Sequence, residues 1–454
     1  MNLEGKRVLV FGAGRSGIAA AKLLQKLDAA VVLYEENKNT DTASLKDKLD
    51  TGRNFKAYFG NFPDQGLDRI DLMILSPGIS AGHPFVMSVK KKGIPVWGEL
   101  ELAFRNSRGK VIAITGTNGK TTTTSLTGEI MRTYFKEVFV AGNIGKPYSD
   151  IALETTDESV SVIEVSSFQL ETIHTFRPNI SAILNITPDH LDRHHTMDNY
   201  IGLKKDITRN QNMDDLCILN YDDENIKKIA DRIKTRIMYF SGERQLKNGL
   251  YLDEGDIVYA RDGHTEKICN VNELKILGRH NYENVMAGVG IAVSMGIPAK
   301  LIYKAVTSFK GVEHRIEYVD TINGVKYYND SKGTNPDAAI KAVRAMNRPT
   351  ILIGGGYDKG VTFDNWIMSF EGKIKTLVLL GQTAEKIAET ARKYGFYNII
   401  MAKDLKEAVT ASAKMAVPGD AVLLSPACAS WDMFESYEER GKLFKEYVYG
   451  LRSR

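Results

Sequence analysis

Four short segments carry residue types able to bind phosphates, metal ions and carboxylates, and each follows an apolar run. The densest is Thr115-Gly116-Thr117-Asn118-Gly119-Lys120-Thr121-Thr122. In such a loop backbone amides cradle phosphates, a lysine neutralises the β and γ groups, and the following hydroxyl ligates magnesium. Lys120 and Thr121 hold those positions. The full phosphate-loop pattern would place its first glycine where Ile114 stands, so the loop is a shortened variant. Gly12-Ala13-Gly14-Arg15-Ser16-Gly17 has the spacing of a diphosphate-binding turn, and Glu35-Glu36 ends the next apolar run. Its glycines would let the backbone approach a diphosphate while a carboxylate takes ribose hydroxyls. NAD is the default ligand of this pattern, and a nucleotide-sugar diphosphate needs the same two contacts. Ser76-Pro77-Gly78 forms a further turn able to border that ligand.

Glu164 ends a third run, and Asp189-His190-Leu191-Asp192 follows a fourth. A carboxylate and an imidazole beside nucleotide phosphates can hold magnesium ions that bridge ATP and an acceptor. His194 and His195 are expected in a solvated loop. Near the end, Asn329-Asp330-Ser331-Lys332-Gly333-Thr334-Asn335 stands at a strand-to-helix junction, with Pro336 suited to the first helical turn. Asp330 and Lys332 read either as a surface ion pair or, with Gly354-Gly355-Gly356-Tyr357-Asp358-Lys359, as one ligand edge.

The elements that must position these residues follow a βαβ rhythm. Runs 8–11, 31–34 and 72–75 are too short for helices and alternate with helical stretches such as 18–27. A second set comprises 111–114, 161–163 and 180–184, with a helix beginning near Thr122. A third comprises 325–328, 350–353, 376–380 and 421–424, with 336–346 helical. Three successive α/β domains are expected, 1–98, 99–310 and 311–454, with breaks near Gly98 and near Gly311. Ligands of parallel sheets bind at the carboxyl ends of strands, which is where all these segments fall.

With 454 residues the chain exceeds what one core supports. Its 43% hydrophobic and 26% charged residues are those of an ordinary globular protein. The 60 basic and 56 acidic residues are spread along the chain, so no basic stripe recommends a nucleic acid. Cys217, Cys269 and Cys428 lack metal-type spacing and are expected as free, buried thiols in a reducing compartment. The first residues do not form a signal peptide. No apolar run approaches the roughly 18 residues of a spanning helix. A soluble cytoplasmic protein without a membrane partner is expected.

Together these segments resemble the Mur ligases, from the first strand to about Arg440. The phosphate-loop variant also occurs in folylpolyglutamate synthases, which lack an N-terminal domain with a loop like Gly12 to Gly17. Glu164-Val-Ser-Ser-Phe-Gln-Leu-Glu171, Asn185-Ile-Thr-Pro-Asp-His-Leu-Asp192, Asn329 to Asn335 and Ser425-Pro-Ala-Cys-Ala-Ser430 resemble the branch that adds D-glutamate. The resemblance implies an α/β chain of three domains: a Rossmann-like N-terminal domain, a central P-loop ATPase-like domain and a C-terminal Rossmann-like domain. It implies a monomer that uses ATP and Mg2+, with UDP-N-acetylmuramoyl-L-alanine and D-glutamate as the other substrates.

By that resemblance Gly14, Arg15, Ser16, Glu35, Ser76, Pro77 and Gly78 would hold the uridine diphosphate, and Asn143 the muramoyl part. ATP would lie on Gly116, Thr117, Asn118, Gly119, Lys120, Thr121 and Thr122, with Asn281, Asn284, Arg315 and Asp330 completing its site. Lys332, Thr334, Lys359, Ser430 and Tyr437 would hold D-glutamate, with His190 and His314 near the substrates. Thr121, Glu164, His190 and a carbamylated Lys204 would ligate metal, and Lys120, Glu164, His190 and Lys204 would form the catalytic set. Lys204 otherwise reads as a solvated helix lysine. Family members usually carry aspartate where Glu35 stands and a smaller residue where Trp431 stands. Rival functions are another ligase of the family, an NAD-dependent oxidoreductase and a non-catalytic nucleotide sensor. The phosphate loop opposes the oxidoreductase, and a sensor would leave Glu164, His190 and the loop after residue 328 without a task.

Overall fold

The computed structural model describes residues 2–40, 49, 52, 54–143 and 145–453. Three sheets organise the described residues. The first contains β1 (Arg7–Phe11), β2 (Ala30–Glu35), β3 (Phe55–Phe59), β4 (Leu72–Leu75) and β5 (Val96–Gly98), in the order β3-β2-β1-β4-β5. It is parallel throughout. Parallel sheets are covered on both faces, so their strands read as unbroken apolar runs rather than alternating ones. Val8 to Phe11 and Leu72 to Leu75 are accordingly all buried. The strand order reverses between β1 and β4, and Phe11 pairs with Leu75, which sets the Gly12 loop beside the Ser76 turn.

The second sheet contains β6 (Lys110–Thr115), β7 (Val138–Gly142), β8 (Val160–Glu164), β9 (Ile180–Ile183), β10 (Leu216–Asn220), β11 (Arg236–Ser241), β12 (Gly249–Asp253), β13 (Asp256–Arg261) and β14 (His264–Asn270). Their order is β14-β13-β12-β11-β10-β9-β6-β8-β7. Strand β6 lies between β8 and β9, parallel to both, with Ile114 opposite Glu164 and Thr115 opposite Ile183. The phosphate-loop segment, Glu164 and the segment after β9 therefore leave one edge of the sheet. Strands β12 to β14 are absent from the sequence expectations. Glu254-Gly255 and Asp262-Gly263 connect them, with φ of 46°, 87°, 52° and 81°. Two consecutive positive-φ residues are the signature of a tight hairpin turn.

The third sheet contains β15 (Glu317–Ile322), β16 (Val325–Asn329), β17 (Thr350–Gly354), β18 (Ile374–Leu379), β19 (Ile399–Met401) and β20 (Ala421–Leu424), ordered β15-β16-β20-β17-β18-β19. Only β15 runs antiparallel. Because β20 lies between β16 and β17, segments 330–335, 425–430 and 355–359 leave the same edge. The covering helices are amphipathic: Ala384–Lys393 buries Ala384, Ile387, Ala388 and Ala391, a single stripe at helical spacing.

The chain forms two compact units, residues 1–268 with 283–305, and 269–282 with 306–454. Within the first, one buried cluster runs from Val8 and Leu33 through Leu100 and Leu102 to Ile163 and Ile183, so the first sheet and the β6 region share a core. The helix Glu99–Asn106 connects them. Its Glu101 is fully buried and accepts bonds from the amides of His174, Thr175 and Phe176 at 2.8–3.0 Å. No described helix is long and apolar enough to cross a membrane.

Candidate functional site

Gly119, at φ +82°, opens the helix Lys120–Arg132, which begins two residues earlier than the sequence suggests. A Cβ at Gly119 would stand 2.2 Å from the Asn284 Oδ1 atom, so the turn and its neighbour both require glycine. The loop is braced from the segment after β9. Thr117 and Asn118 donate their amides to the carbonyl oxygen and Oδ1 of Asn185, at 2.9 and 2.8 Å. Thr117 Oγ1 accepts from the Thr187 amide at 3.0 Å and lies 3.1 Å from the Tyr200 hydroxyl. Thr121 and Thr122 are half-buried on the first helical turn.

Lys120 folds back onto its own loop, donating to the carbonyl oxygens of Gly116 and Thr117, each at 2.9 Å. Lys204 approaches from the helix Met197–Lys205 and donates to Gly116 O at 2.7 Å. Its ammonium also lies 4.6 Å from the Tyr200 ring centroid. Lys204 is only 1% exposed, not a solvated helix lysine. Burial, reinforced by the Lys120 charge, lowers its ammonium to about 7.

Glu164 is buried at the end of β8. Its Oε1 accepts from Asn143 Nδ2 at 2.8 Å, while Oε2 is buried and has no hydrogen-bond partner among the described residues. A desolvated carboxylate oxygen with an open lone pair is costly unless something positive completes it. A hard divalent cation suits an oxygen donor of this kind. Asn143 thus has its amide on Glu164, a role the sequence did not suggest. His190 is half exposed at φ 52°, with its ring 4.9 Å from Phe168 and its Nε2 3.5 Å from Asp189 Oδ2. His194 departs from expectation. It is 4% exposed, not solvated, with Nε2 3.0 Å from Ser167 Oγ and its ring stacked on Tyr200. His195 is exposed as expected.

In the first loop, a Cβ on Gly17 would come within 1.8 Å of Gly12 O, and Ser76 Oγ donates to the same carbonyl at 3.1 Å. Glu35 accepts from the amides of Ala13 and Asn37 at 2.8 and 3.0 Å, so it closes this loop as well as facing its edge. Arg15 donates to Gly145 O. The residue sequence reasoning missed is Arg193. It forks onto both oxygens of Glu171 at 2.9 and 2.8 Å and donates to the carbonyls of Pro77, Gly78 and Ile79 at 2.9–3.3 Å. Its guanidinium also lies 3.9 Å over Phe168. A lone arginine in a polar segment gives no signal of such convergence.

In the second unit Asp330 is buried and accepts from Ser425 Oγ at 2.7 Å and the Ile316 amide at 3.3 Å. It is not half of a surface ion pair. Burial raises its carboxyl to about 7. Lys332 is exposed with its ammonium 5.2 Å from the Tyr437 ring, and Lys359 lies 5.1 Å from that of Trp431. Thr334 is half-buried and Ser430 buried. Arg440, also missed, is buried and donates to Ser331 O, Ser331 Oγ, Cys428 O and Ala429 O at 2.9–3.3 Å, tying two of the three loops together. His314 is buried and accepts from Asn329 Nδ2 on Nδ1 at 2.9 Å, and burial lowers its imidazolium below the ordinary histidine value. Arg315 is exposed, and Asn281 is buried with Nδ2 on Leu277 O at 2.8 Å. Cys217, Cys269 and Cys428 are buried.

Comparison with known proteins finds three family domains along the chain. A Mur ligase MurD-like N-terminal domain matches residues 6–98, a Mur ligase middle domain 114–292, and a Mur ligase glutamate ligase domain 314–428. The chain is similar to UDP-N-acetylmuramoylalanine--D-glutamate ligase of Lachnoclostridium phytofermentans, 54% identical with both chains covered in full. It is 51% identical to the protein of that name from Lachnospira eligens, over 99% of this chain and all of the other. Among solved structures, UDP-N-acetylmuramate-alanine ligase of Thermotoga maritima superposes with a TM-score of 0.58 at 18% identity, over 98% of this chain and 99% of that one. MurF of Acinetobacter baumannii gives 0.59 at 17%, over 99% and 94%. At such identities these two structures share the fold alone.

Proposed function

The chain belongs to the Mur ligase family, and we propose that it joins D-glutamate to UDP-N-acetylmuramoyl-L-alanine at the expense of ATP, in peptidoglycan precursor synthesis. The observation that carries this is full-length identity of 54% to a ligase of that name. The carboxylate of the nucleotide-sugar peptide attacks the γ-phosphorus of ATP, giving ADP and an acyl phosphate. The amine of D-glutamate then attacks the acyl carbon, and phosphate leaves with the new amide formed.

Each step crowds anionic oxygens, so the chemistry is chiefly charge neutralisation. Lys120 would exchange its loop carbonyls for the β and γ phosphates, with Gly116 to Thr122 cradling them and Asn284 bracing the turn. Glu164, through its open Oε2, would hold a magnesium ion together with Thr121, His190 and a carbamate on Lys204. When bound, that ion would supply Lewis-acid stabilisation of phosphate oxygens. Gly14, Arg15, Ser16, Glu35 and the turn Ser76 to Gly78 would hold the uridine diphosphate, and Asn143 the muramoyl part. In the second unit Asn281, Arg315 and Asp330 are assigned to ATP, and Lys332, Thr334, Lys359, Ser430 and Tyr437 to D-glutamate, near His314. The proposed domain limits are 1–98, 99–310 and 311–454.

The test is ADP release with ATP, Mg2+ and UDP-N-acetylmuramoyl-L-alanine while the amino acid is varied, with the product identified by mass. D-Glutamate should support turnover and L-glutamate should be poor. Faster turnover with L-lysine, diaminopimelate or a folate acceptor would move the chain to another branch.

A further inference from the structure

Trp431 stands at the rim of the second unit's loop edge, 64% exposed. An indole left in water gains nothing from burial, so its neighbours must account for it. The segment after β17 runs alongside the segment after β20: Gly355 N donates to Pro426 O at 2.9 Å and Tyr357 N to Ala429 O at 3.0 Å. The approach is close, since a Cβ on Gly356 would come within 2.4 Å of Ala429 O. Thr383 Oγ1 fixes the base of the segment, accepting from Gly356 N and donating to Gly356 O, both at 3.0 Å. The partner segment is pinned by Gln382 N on Asp432 Oδ2 at 2.9 Å. These backbone contacts bring the Lys359 ammonium 5.1 Å from the Trp431 ring centroid, with the Tyr357 ring 5.6 Å from the same indole. The neighbouring carboxylate, Asp358, is turned to Lys386 at 3.0 Å and to the Gly360 amide at 2.8 Å.

An ammonium within about 6 Å of an indole face is attracted by the ring quadrupole. A lysine side chain otherwise samples many rotamers, and fixing it on binding costs affinity. We infer that Trp431 is a positioning residue that holds the Lys359 ammonium ready for a carboxylate of the incoming D-glutamate. This rests on the assignment of Lys359 to that amino acid. Tyr357 supports the indole from its other neighbour. Removing the indole face should therefore weaken the capture of D-glutamate by roughly two- to fivefold, the value of such a contact at a partly exposed site.

The test is steady-state kinetics of Trp431→Leu, Trp431→Phe, Lys359→Met and the double variant Trp431→Leu/Lys359→Met. KM is read for each of the three substrates. Trp431→Leu should raise KM for D-glutamate while leaving kcat and the KM values for ATP and the nucleotide-sugar peptide near wild type. Trp431→Phe should recover most of the loss. Lys359→Met should raise KM by itself, and adding Trp431→Leu to it should change nothing further. An equal rise in both backgrounds would mean that the indole touches the amino acid or serves only the fold, and would overturn the inference. So would an unchanged KM in Trp431→Leu while the wild type remains active. Wild-type protein that releases no ADP with D-glutamate would instead remove the assigned function, and this inference with it.

Discussion

Lys120 and Lys204 donate to one acceptor, the carbonyl oxygen of Gly116, at 2.9 and 2.7 Å. Two ammonium groups on one oxygen repel each other, by a few kcal/mol at an effective dielectric of about 20. The arrangement is relieved when one lysine meets an anion and the other loses its charge. Lys120 is the one placed on the loop that would receive phosphates. Lys120→Ala should lose more than roughly 100-fold in turnover, about 2.7 kcal/mol at the barrier, without loss of fold. ADP release and thermal unfolding together check this, and near-normal turnover would rule out the phosphate-loop role.

Lys204 is the lysine expected to lose its charge. With its ammonium lowered to about 7, it is largely a neutral amine above that pH. A neutral amine adds to carbon dioxide and releases a proton, leaving a carbamate anion beside the loop. Lys205, on the same helix but only half-buried, lacks that environment. Lys204→Ala should abolish most activity and Lys205→Ala should not. Active protein equilibrated with carbon-13 bicarbonate should show a carbamate resonance that Lys204→Ala lacks. Full activity with Lys204 unmodified would end this assignment.

The legible parts of the sequence were those with local chemistry. The loops after β1, β6 and β16 are runs of glycine, lysine, threonine or aspartate next to apolar strands, so both their geometry and their ligand class could be read. The hairpins of β12 to β14 were legible in principle, through Glu254-Gly255 and Asp262-Gly263. Runs such as Ile257 to Ala260 are antiparallel hairpin strands with no helix between them, so they fall outside the βαβ rhythm. Arg193, His194 and Arg440 were not legible. Each owes its burial to partners far away in sequence, such as Pro77 for Arg193 and Ser331 for Arg440, and spacing along the chain carries no trace of that.

Glu99 offers a prediction about stability and pH. It is buried, accepts from the Ser149 amide at 2.6 Å, and leaves Oε2 without a hydrogen-bond partner among the described residues. Burial raises its carboxyl from 4.5 to about 7. The folded chain thus binds a proton that the unfolded chain has released between those values, so stability falls as pH rises from 4.5 through 7. Glu99→Gln carries no such charge. It should be more stable than wild type at pH 8, with the difference shrinking towards pH 4.5. Urea denaturation at both ends of the range measures this, and a difference independent of pH would refute it.

Arg193 and Glu171 provide the last prediction. Both side chains are only 12% exposed, and the guanidinium makes two parallel bonds to the carboxylate. Its remaining donors hold the carbonyls of Pro77, Gly78 and Ile79, the turn assigned to the uridine diphosphate. A planar fork can serve a carboxylate and a row of carbonyls at once, whereas a lysine ammonium is a point charge and cannot. Arg193→Met would strand the Glu171 charge, and breaking a buried pair this way costs about 3 kcal/mol. Arg193→Lys should keep most of the stability but let the turn relax. Its KM for the nucleotide-sugar peptide should rise about tenfold, corresponding to about 1.4 kcal/mol, with that for D-glutamate unchanged. Arg193→Met/Glu171→Gln should recover part of the stability lost in Arg193→Met, because no uncompensated carboxylate remains, yet should not recover the KM. Denaturation curves and KM values for the three variants separate the two roles. Equal rises in KM for both substrates in Arg193→Lys would show that Arg193 serves the fold alone.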